Sequence, residues 1–244
     1  MKRSISFVVA LTAVLGGASQ VDAQEPAARK GVVIIVGGVG GFDFLGPAAL
    51  AALPKAGVHH ELREFVWTHG FGQWLQDLQD AQHQFQKASE LADQVRKIKE
   101  EAPDRPVYLV GKSGGTGIVL SAASMLPNAS LERIVLLSSA VSPTYDLRPA
   151  LRATKGPIVN YWSAGDWFIL GWGTKQFGTM DHVHGASAGL TGFVKPTEGD
   201  DLDFYDRLVQ VQWKPDMIKT GHTGGHVGTS FPAFVAQEVA PWLK

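Results

Sequence analysis

The sequence contains no cysteine among its 244 residues, and this absence excludes several kinds of chemistry. Disulfide scaffolds, thiol nucleophiles, thiolate metal sites and iron–sulfur clusters all need that residue. The chain also has no excess of either charge, because 22 Lys and Arg stand against 23 Asp and Glu. We therefore expect no nucleic-acid partner, since such proteins carry a basic surface. Hydrophobic residues make up 45% of the chain, which excludes an intrinsically disordered protein.

An apolar run near the N-terminus is too short to cross a membrane. It extends from Ile5 to about Leu15, follows two basic residues, and leads to small residues ending at Ala23. A spanning helix needs about 20 apolar residues, whereas this order of basic, apolar and small residues is typical of a secretory signal peptide. We expect residues 1–23 to be cleaved. Residues 24–244 then form one secreted or periplasmic domain without a stable membrane anchor.

Short apolar runs alternate with helical patterns along the rest of the chain. The run GVVIIV at 31–36 is continuous and β-branched, which is typical of a strand buried on both faces of a parallel sheet. From Leu75 to just before Pro103, apolar residues recur at spacings of three or four and predict a helix. We predict an α/β fold with a mainly parallel sheet and helices on both faces. The other predicted strands are 60–67, 107–110, 134–137, 158–162 and 208–213, and the other helices are 47–53, 115–125 and 231–243.

A G-x-S-x-G sequence, Gly111-Lys112-Ser113-Gly114-Gly115, lies between a predicted strand and a predicted helix. In such a turn the serine hydroxyl is lifted out of the backbone, and side chains at the glycines would collide with the neighbouring strand and helix. The N-terminus of the next helix favours an oxyanion through its free N–H groups. We therefore predict that Ser113 is a nucleophile. A phosphate-binding loop would need glycine where the chain has Pro106, so we expect no nucleotide there.

A glycine-rich loop, Gly37-Gly38-Val39-Gly40-Gly41, follows the first predicted strand. The spacing of a dinucleotide-binding loop fails, because Asp43 stands where the third glycine belongs. In acyl transfer, such a loop lets a backbone N–H approach the reacting carbonyl. We predict that the N–H groups of Val39 and Gly114 form an oxyanion hole.

Candidates for an acid and a base follow the later predicted strands. Asp166 lies in the turn after the fifth strand and is the favoured acid, with Asp181 as the alternative. His222 and His226 lie in a glycine-rich loop before the last predicted helix. The favoured base is His226, because the glycines around it would let its ring reach Ser113. His222 is the second choice.

The order Ser113, Asp166, His226 and the two glycine-rich loops resemble the α/β-hydrolase superfamily, especially compact lipases and esterases whose sheet begins at the strand before the oxyanion loop. The resemblance covers most of residues 31–244 and implies an α/β-hydrolase fold lacking the first strands. It also implies a serine hydrolase that cleaves a carboxylic ester, or a related acyl bond, of a small-molecule substrate and needs no cofactor. In such enzymes the strand before the oxyanion loop usually ends in His-Gly, where this chain has Gly37-Gly38.

Two other hypotheses stay open from the sequence. A chain without the usual histidine before the oxyanion loop could be a non-catalytic relative that binds a small apolar ligand. Alternatively, four histidines could hold a divalent metal ion in a metal-dependent hydrolase. These histidines are His182, His184, His222 and His226.

The connection between Asp166 and His226 is too long for an ordinary loop, and within it residues 171–206 are a candidate cap or active-site loop insertion. Seven aromatic residues cluster near the predicted loops. We expect most of them in the core and some around an apolar acyl pocket. They are Trp67, Phe71, Trp74, Trp162, Trp167, Phe168 and Trp172.

Overall fold

Six parallel strands form one open sheet in the computed structural model, which describes residues 30–41 and 44–244. The strands are β1 Val32–Val36, β2 Glu61–Phe65, β3 Val107–Lys112, β4 Arg133–Leu137, β5 Ile158–Trp162 and β6 Leu208–Gln212. Their order across the sheet is β2-β1-β3-β4-β5-β6, and every neighbouring pair is parallel. The predicted parallel sheet is confirmed. The predicted signal peptide, residues 1–23, lies outside the described residues.

Helices cover both faces of this sheet. They are α1 Leu45–Ala52, α2 Trp74–Gln79, α3 Ala81–Glu101, α4 Gly114–Ser124, α5 Arg148–Ala153 and the short α6 Thr174–Phe177, α7 Ala188–Thr191 and α8 Pro232–Phe234. Successive strand residues point to opposite faces. Accordingly, Ile34 of β1 packs in a core with residues of α3 and α4, whereas Ile35 packs in a second core with α1 and the C-terminal helical residues.

Two of the predicted helices are interrupted. The long helix predicted after residue 75 is two helices, because Asp80 between α2 and α3 has non-helical backbone angles, φ −85° and ψ 80°. Its side chain accepts from the backbone N–H of His83 and caps α3. The C-terminal helix continues from α8 as a π-helical stretch, Val235–Val239, and a 3-10 turn, Ala240–Leu243. Within the described part of the chain, no helix has both the length and the apolar character that crossing a bilayer requires.

The loops after the strands meet at one edge of the sheet, because all six strands point the same way. The loop after β1 carries a 3-10 turn, Val39–Gly41. Ser113 follows β3, and Asp166 follows β5. His226 lies between β6 and the C-terminal helices. The topology therefore brings the predicted site residues to a common edge.

Candidate active site

Ser113 lies in the sharp turn between β3 and α4. Its backbone angles, φ 51° and ψ −125°, fall in a region that residues with a side chain rarely adopt. Hydrogen bonds to both its backbone N–H and its carbonyl hold this conformation. The Ser113 N–H donates to the Leu137 carbonyl at 2.9 Å, and the Thr116 hydroxyl donates to the Ser113 carbonyl at 2.6 Å. Neighbouring structure thus maintains the strained turn.

The turn after β3 packs closely against the end of β1. A Cβ atom added at Gly115 would lie 2.3 Å from the carbonyl oxygen of Gly37 and 2.4 Å from that of Val36. A Cβ atom added at Gly114 would lie 2.6 Å from Cγ1 of Val39. Glycine at these two positions is what lets the strand ends approach. As a result, Val39 and Gly114, the two predicted oxyanion-hole residues, lie side by side.

Two hydrogen bonds connect three side chains in series. The Ser113 Oγ and His226 Nε2 atoms are 2.9 Å apart, and the His226 Nδ1 and Asp166 Oδ2 atoms are 2.6 Å apart. Burial raises the pKa of the Asp166 carboxyl above its ordinary value, and the hydrogen bond from His226 offsets part of this rise. A carboxylate beside Nδ1 holds the proton on that nitrogen, which leaves Nε2 free to accept from the serine hydroxyl.

The loops that carry Asp166 and His226 are joined by Ser163, which the sequence analysis did not identify. The Ser163 hydroxyl donates to the Gly224 carbonyl at 2.7 Å and accepts from the Gly165 N–H at 3.1 Å. A Cβ atom added at Gly165 would lie 2.9 Å from the Gly224 carbonyl oxygen. The two loops are therefore held at a fixed distance, which sets the separation of Asp166 and His226.

His222, the second-choice base, occupies a different environment. Its ring is 4% exposed and packs edge-on against Phe234, with ring centroids 5.1 Å apart. Its Nδ1 accepts from the Gly224 N–H at 3.3 Å. Burial lowers the pKa of His222 to about 4, so the ring is neutral at pH 7. The histidine that contacts the Ser113 hydroxyl is His226.

The remaining acidic and histidine candidates lie apart from this chain of hydrogen bonds. The Asp181 carboxylate accepts from the Ser142 N–H at 2.8 Å and from its hydroxyl at 2.5 Å, so it holds a neighbouring loop instead of a histidine. Among the described residues, no three His, Asp or Glu side chains are placed to hold a metal ion. The four histidines of the metal-site hypothesis are therefore not assembled. They are His182, His184, His222 and His226.

A buried carboxylate that the sequence analysis missed fixes the loop after β1. Asp77 in α2 is 0% exposed, and its Oδ2 accepts from the Gly40 N–H at 2.6 Å. Its Oδ1 accepts from the backbone N–H of His69 at 2.7 Å and from the ring Nδ1 of His69 at 2.8 Å. Gly40 follows Val39 directly, so this carboxylate determines where the Val39 backbone lies.

An apolar cavity of about 470 Å³ opens beside Ser113. Val39 and Gly114 line it together with Ser113, and α2 contributes Trp74 and Leu78. Much of the remaining wall comes from residues 168–170, 172–174 and 177–178. Among the described residues that line the cavity, none carries a charged side chain. Its volume falls within the range of pockets that hold small molecules.

We expected most of the seven aromatic residues near the loops to lie in the core. This expectation is wrong, because five of the seven are exposed. Trp67 is buried and Trp162 is half-buried. For Phe168 and Trp172 the physical reason is the π-helical stretch Phe168–Gly173, which follows β5 and contributes to the cavity wall, and Trp74 contributes to that wall from α2. The exposed ones are Phe71, Trp74, Trp167, Phe168 and Trp172, of which Trp74, Phe168 and Trp172 line the cavity.

The segment 171–206, expected to be a cap or insertion, has two parts. In its first part, five residues line the cavity, namely Trp172, Gly173, Thr174, Phe177 and Gly178. Its α7 packs on the strand ends, where the Gly189 N–H donates to the Ser139 carbonyl at 2.8 Å and the Gly189 carbonyl accepts from the Ser163 N–H at 2.9 Å. The cap stays a prediction, and it concerns the cavity-lining part.

Comparison with known proteins rests on structure, because no family model and no curated protein matches the chain. A lipase-esterase related protein from Clostridium acetobutylicum matches with a TM-score of 0.51 and 13% identity, over 88% of this chain and 95% of that chain. The chain has an α/β-hydrolase fold. Trichoderma reesei cutinase matches at 17% identity and a TM-score of 0.43, over 88% of this chain and 76% of that chain. The catalytic core domain of acetyl xylan esterase from Trichoderma reesei matches at 10% identity and a TM-score of 0.48, over 88% and 98% of the two chains.

The α/β-hydrolase fold agrees with the prediction from the sequence. Within the described residues, β1, the strand before the glycine-rich loop, is the first strand in chain order. The α/β-hydrolase fold hosts several chemistries. The function must therefore be argued from the residues at the edge of the sheet.

Proposed function

We propose that this chain is a serine hydrolase that cleaves carboxylic esters through an acyl-enzyme. The observation that carries the proposal is the hydrogen-bonded chain from Ser113 through His226 to Asp166, with distances of 2.9 Å and 2.6 Å. A serine hydroxyl is a weak nucleophile until an adjacent base takes its proton, and the base works best when a third group orients its ring. The apolar cavity beside Ser113 gives an acyl group a place to bind.

In the first half of the reaction, Ser113 Oγ attacks the ester carbonyl carbon while His226 Nε2 takes the hydroxyl proton. The carbonyl π electrons move to its oxygen, and the N–H groups of Val39 and Gly114 donate hydrogen bonds to this oxyanion. Asp166 accepts from Nδ1 and stabilises the imidazolium. The intermediate then collapses, the bond to the alcohol oxygen breaks, and that oxygen takes the proton from Nε2.

In the second half, a water molecule repeats the sequence on the acyl-enzyme. His226 Nε2 takes a proton from the water, whose oxygen attacks the acyl carbon and forms a second oxyanion between Val39 and Gly114. When this intermediate collapses, the ester bond to Ser113 breaks and its Oγ recovers the proton from Nε2. The products are a carboxylic acid and an alcohol, and no step needs a cofactor.

A fluorophosphonate is expected to add to the folded protein once, at Ser113, because an activated serine attacks its phosphorus as it attacks a carbonyl. Intact-protein mass spectrometry measures the number of adducts, and peptide mapping gives their position. The Ser113→Ala variant should show no adduct. Ser121, a partly exposed serine in α4, is a built-in comparison that should stay unmodified.

A folded wild-type chain that takes up no fluorophosphonate would refute the proposed nucleophile. That outcome would favour the alternative of a non-catalytic relative that binds a small apolar ligand in the cavity. An adduct at a different serine would preserve the reaction class but reject Ser113.

We also propose that the chain is exported, on the sequence pattern of residues 1–23. The exported form is expected to begin at Gln24, as N-terminal sequencing of material from the culture medium or periplasm would measure. Recovery of a membrane-bound chain that keeps Met1 would contradict this prediction.

A further inference from the structure

We infer that the cavity beside Ser113 binds the acyl part of the substrate and selects neutral esters with a medium or long linear acyl chain over acetyl esters. The inference rests on the proposed ester hydrolase function. It goes further because it assigns one side of the ester to one cavity, and it names the size and polarity of the group that fits there.

The position of His226 decides which half of the ester enters the cavity. The departing alcohol oxygen takes its proton from His226 Nε2, so the alcohol must leave on the side of that ring. The cavity is bordered by Ser113, Val39 and Gly114 but not by His226. It therefore lies beside the attacked carbon and the oxyanion donors, away from the proton donor. This is the place of the acyl chain.

The residues of the cavity wall indicate that the bound acyl chain is apolar. Aromatic rings form much of the wall, with Trp74 and Phe177 edge to face at 5.1 Å and Phe168 and Trp172 stacked at 5.8 Å. Thr174 also lines the cavity, but its hydroxyl donates to the Leu170 carbonyl at 2.8 Å. A sugar hydroxyl or a charged group bound there would lose its water without a partner among these side chains, which is costly.

The volume of the cavity indicates the length of the acyl chain that it binds. A volume of about 470 Å³ is far more than a two-carbon acetyl group fills, so each added methylene of a longer acyl chain leaves water for apolar surface. Full burial multiplies affinity by about fourfold per methylene. An acetyl ester would leave most of this wall unused.

Gly173 offers a way to shorten the cavity without disturbing its frame. It lines the cavity, and an added Cβ atom would meet only the Phe168 carbonyl oxygen within 4 Å, at 3.5 Å. The Cβ atom of a leucine at this position therefore makes no close contact, and the rest of its side chain would occupy cavity volume that the acyl chain needs. Gly185 lies in the same segment outside the cavity lining, and an added Cβ atom there meets nothing within 4 Å. Gly185→Leu is the matched control.

The experiment compares kcat/KM for p-nitrophenyl acetate and p-nitrophenyl octanoate. For the wild type we expect octanoate to exceed acetate by at least about 100-fold, on the value for buried methylenes. Gly173→Leu should lower kcat/KM for octanoate at least tenfold and leave acetate within about twofold, whereas Gly185→Leu should leave both unchanged. A second pair of variants tests the cavity wall. Trp172→Ala should lower kcat/KM for octanoate more than kcat/KM for acetate, whereas Trp167→Ala, whose side chain is outside the lining, should not.

The inference would be overturned if the wild type had equal kcat/KM for the two esters. It would also be overturned if Gly173→Leu and Trp172→Ala lowered kcat/KM equally for both esters. Hydrolysis of acetate together with labelling of Ser113 would in that case leave the proposed function intact. If no ester is hydrolysed and Ser113 is unlabelled, the proposed function fails instead. Titration of Ser113→Ala with methyl octanoate tests the cavity without turnover: Gly173→Leu should weaken binding at least tenfold, and unchanged binding would reject the cavity as the acyl site.

Discussion

Replacing His226 with alanine is expected to lower kcat for ester hydrolysis by about 100- to 10,000-fold, the range that a general base contributes. The His226 ring is the group within 2.9 Å of the Ser113 hydroxyl, and without it the serine has no acceptor for its proton. Ser113→Ala should lose a similar amount. Because residues that act as one unit have losses that do not add, the double variant should be little worse than either single one. Single-turnover and steady-state assays on p-nitrophenyl esters measure these values.

The matched control is His222→Ala, which removes the same ring four positions earlier. We expect it to keep most of kcat, because its ring packs on Phe234 and not on Ser113. It should instead lower the free energy of unfolding by about 1–3 kcal/mol, since a buried ring is lost. An inactive His222→Ala beside an active His226→Ala would move the base by four residues. Full activity in both variants would reject this mechanism altogether.

The strands and the serine turn could be predicted because their signals are local. The run VVIIV in β1 is apolar at every position, as a strand covered on both faces requires, and its alternate residues enter two different cores. The glycines around Ser113 likewise indicate a close approach of neighbouring backbone. The structure identifies the neighbours of Gly115 as the carbonyls of Val36 and Gly37.

Features that depend on distant contacts could not be predicted in the same way. The choice between His222 and His226 depends on how their loop folds, with positive φ at Gly221 and Gly224, and on the Ser163 bond to Gly224. The exposed position of Trp172 depends on a π-helical stretch that has no simple periodic pattern. Asp77 stands in a polar run, Gln-Asp-Leu-Gln-Asp, that resembles a solvated helix face, and its partner Gly40 is 37 residues away.

Replacing Asp77 with asparagine is expected to lower kcat by about 10- to 100-fold, part of the 100- to 1,000-fold loss seen when an oxyanion donor is removed. The carboxylate accepts three hydrogen bonds, one from Gly40 and two from His69. An asparagine side chain turns one of the two oxygens into an N–H donor. Whichever way it is oriented, a backbone N–H of Gly40 or of His69 then faces a donor. The loop that carries Val39 loses its fixed position.

The Asp77→Asn substitution is expected to lower kcat and not to raise KM, because the carboxylate does not line the acyl cavity. KM should change by less than about threefold, and labelling of Ser113 by a fluorophosphonate should slow in parallel with kcat, since both reactions place a negative oxygen between Val39 and Gly114. One buried N–H without an acceptor should also lower the free energy of unfolding by about 1–3 kcal/mol. Steady-state kinetics and thermal unfolding measure the two effects separately.

Asp80→Asn provides the control for Asp77→Asn, since it makes the same change three residues later in the chain. Asp80 caps α3 through the His83 N–H at 2.9 Å. Its Oδ2 lies 3.4 Å from Nε2 of His69, on the side of that ring away from Asp77, and its contacts do not include Gly40, which Asp77 holds. Asparagine caps a helix about as well as aspartate, so both kcat and stability should stay close to the wild type. If Asp77→Asn loses stability but keeps kcat, the carboxylate supports the fold alone. The oxyanion hole would then owe its geometry to the packing of Val39 on Gly114.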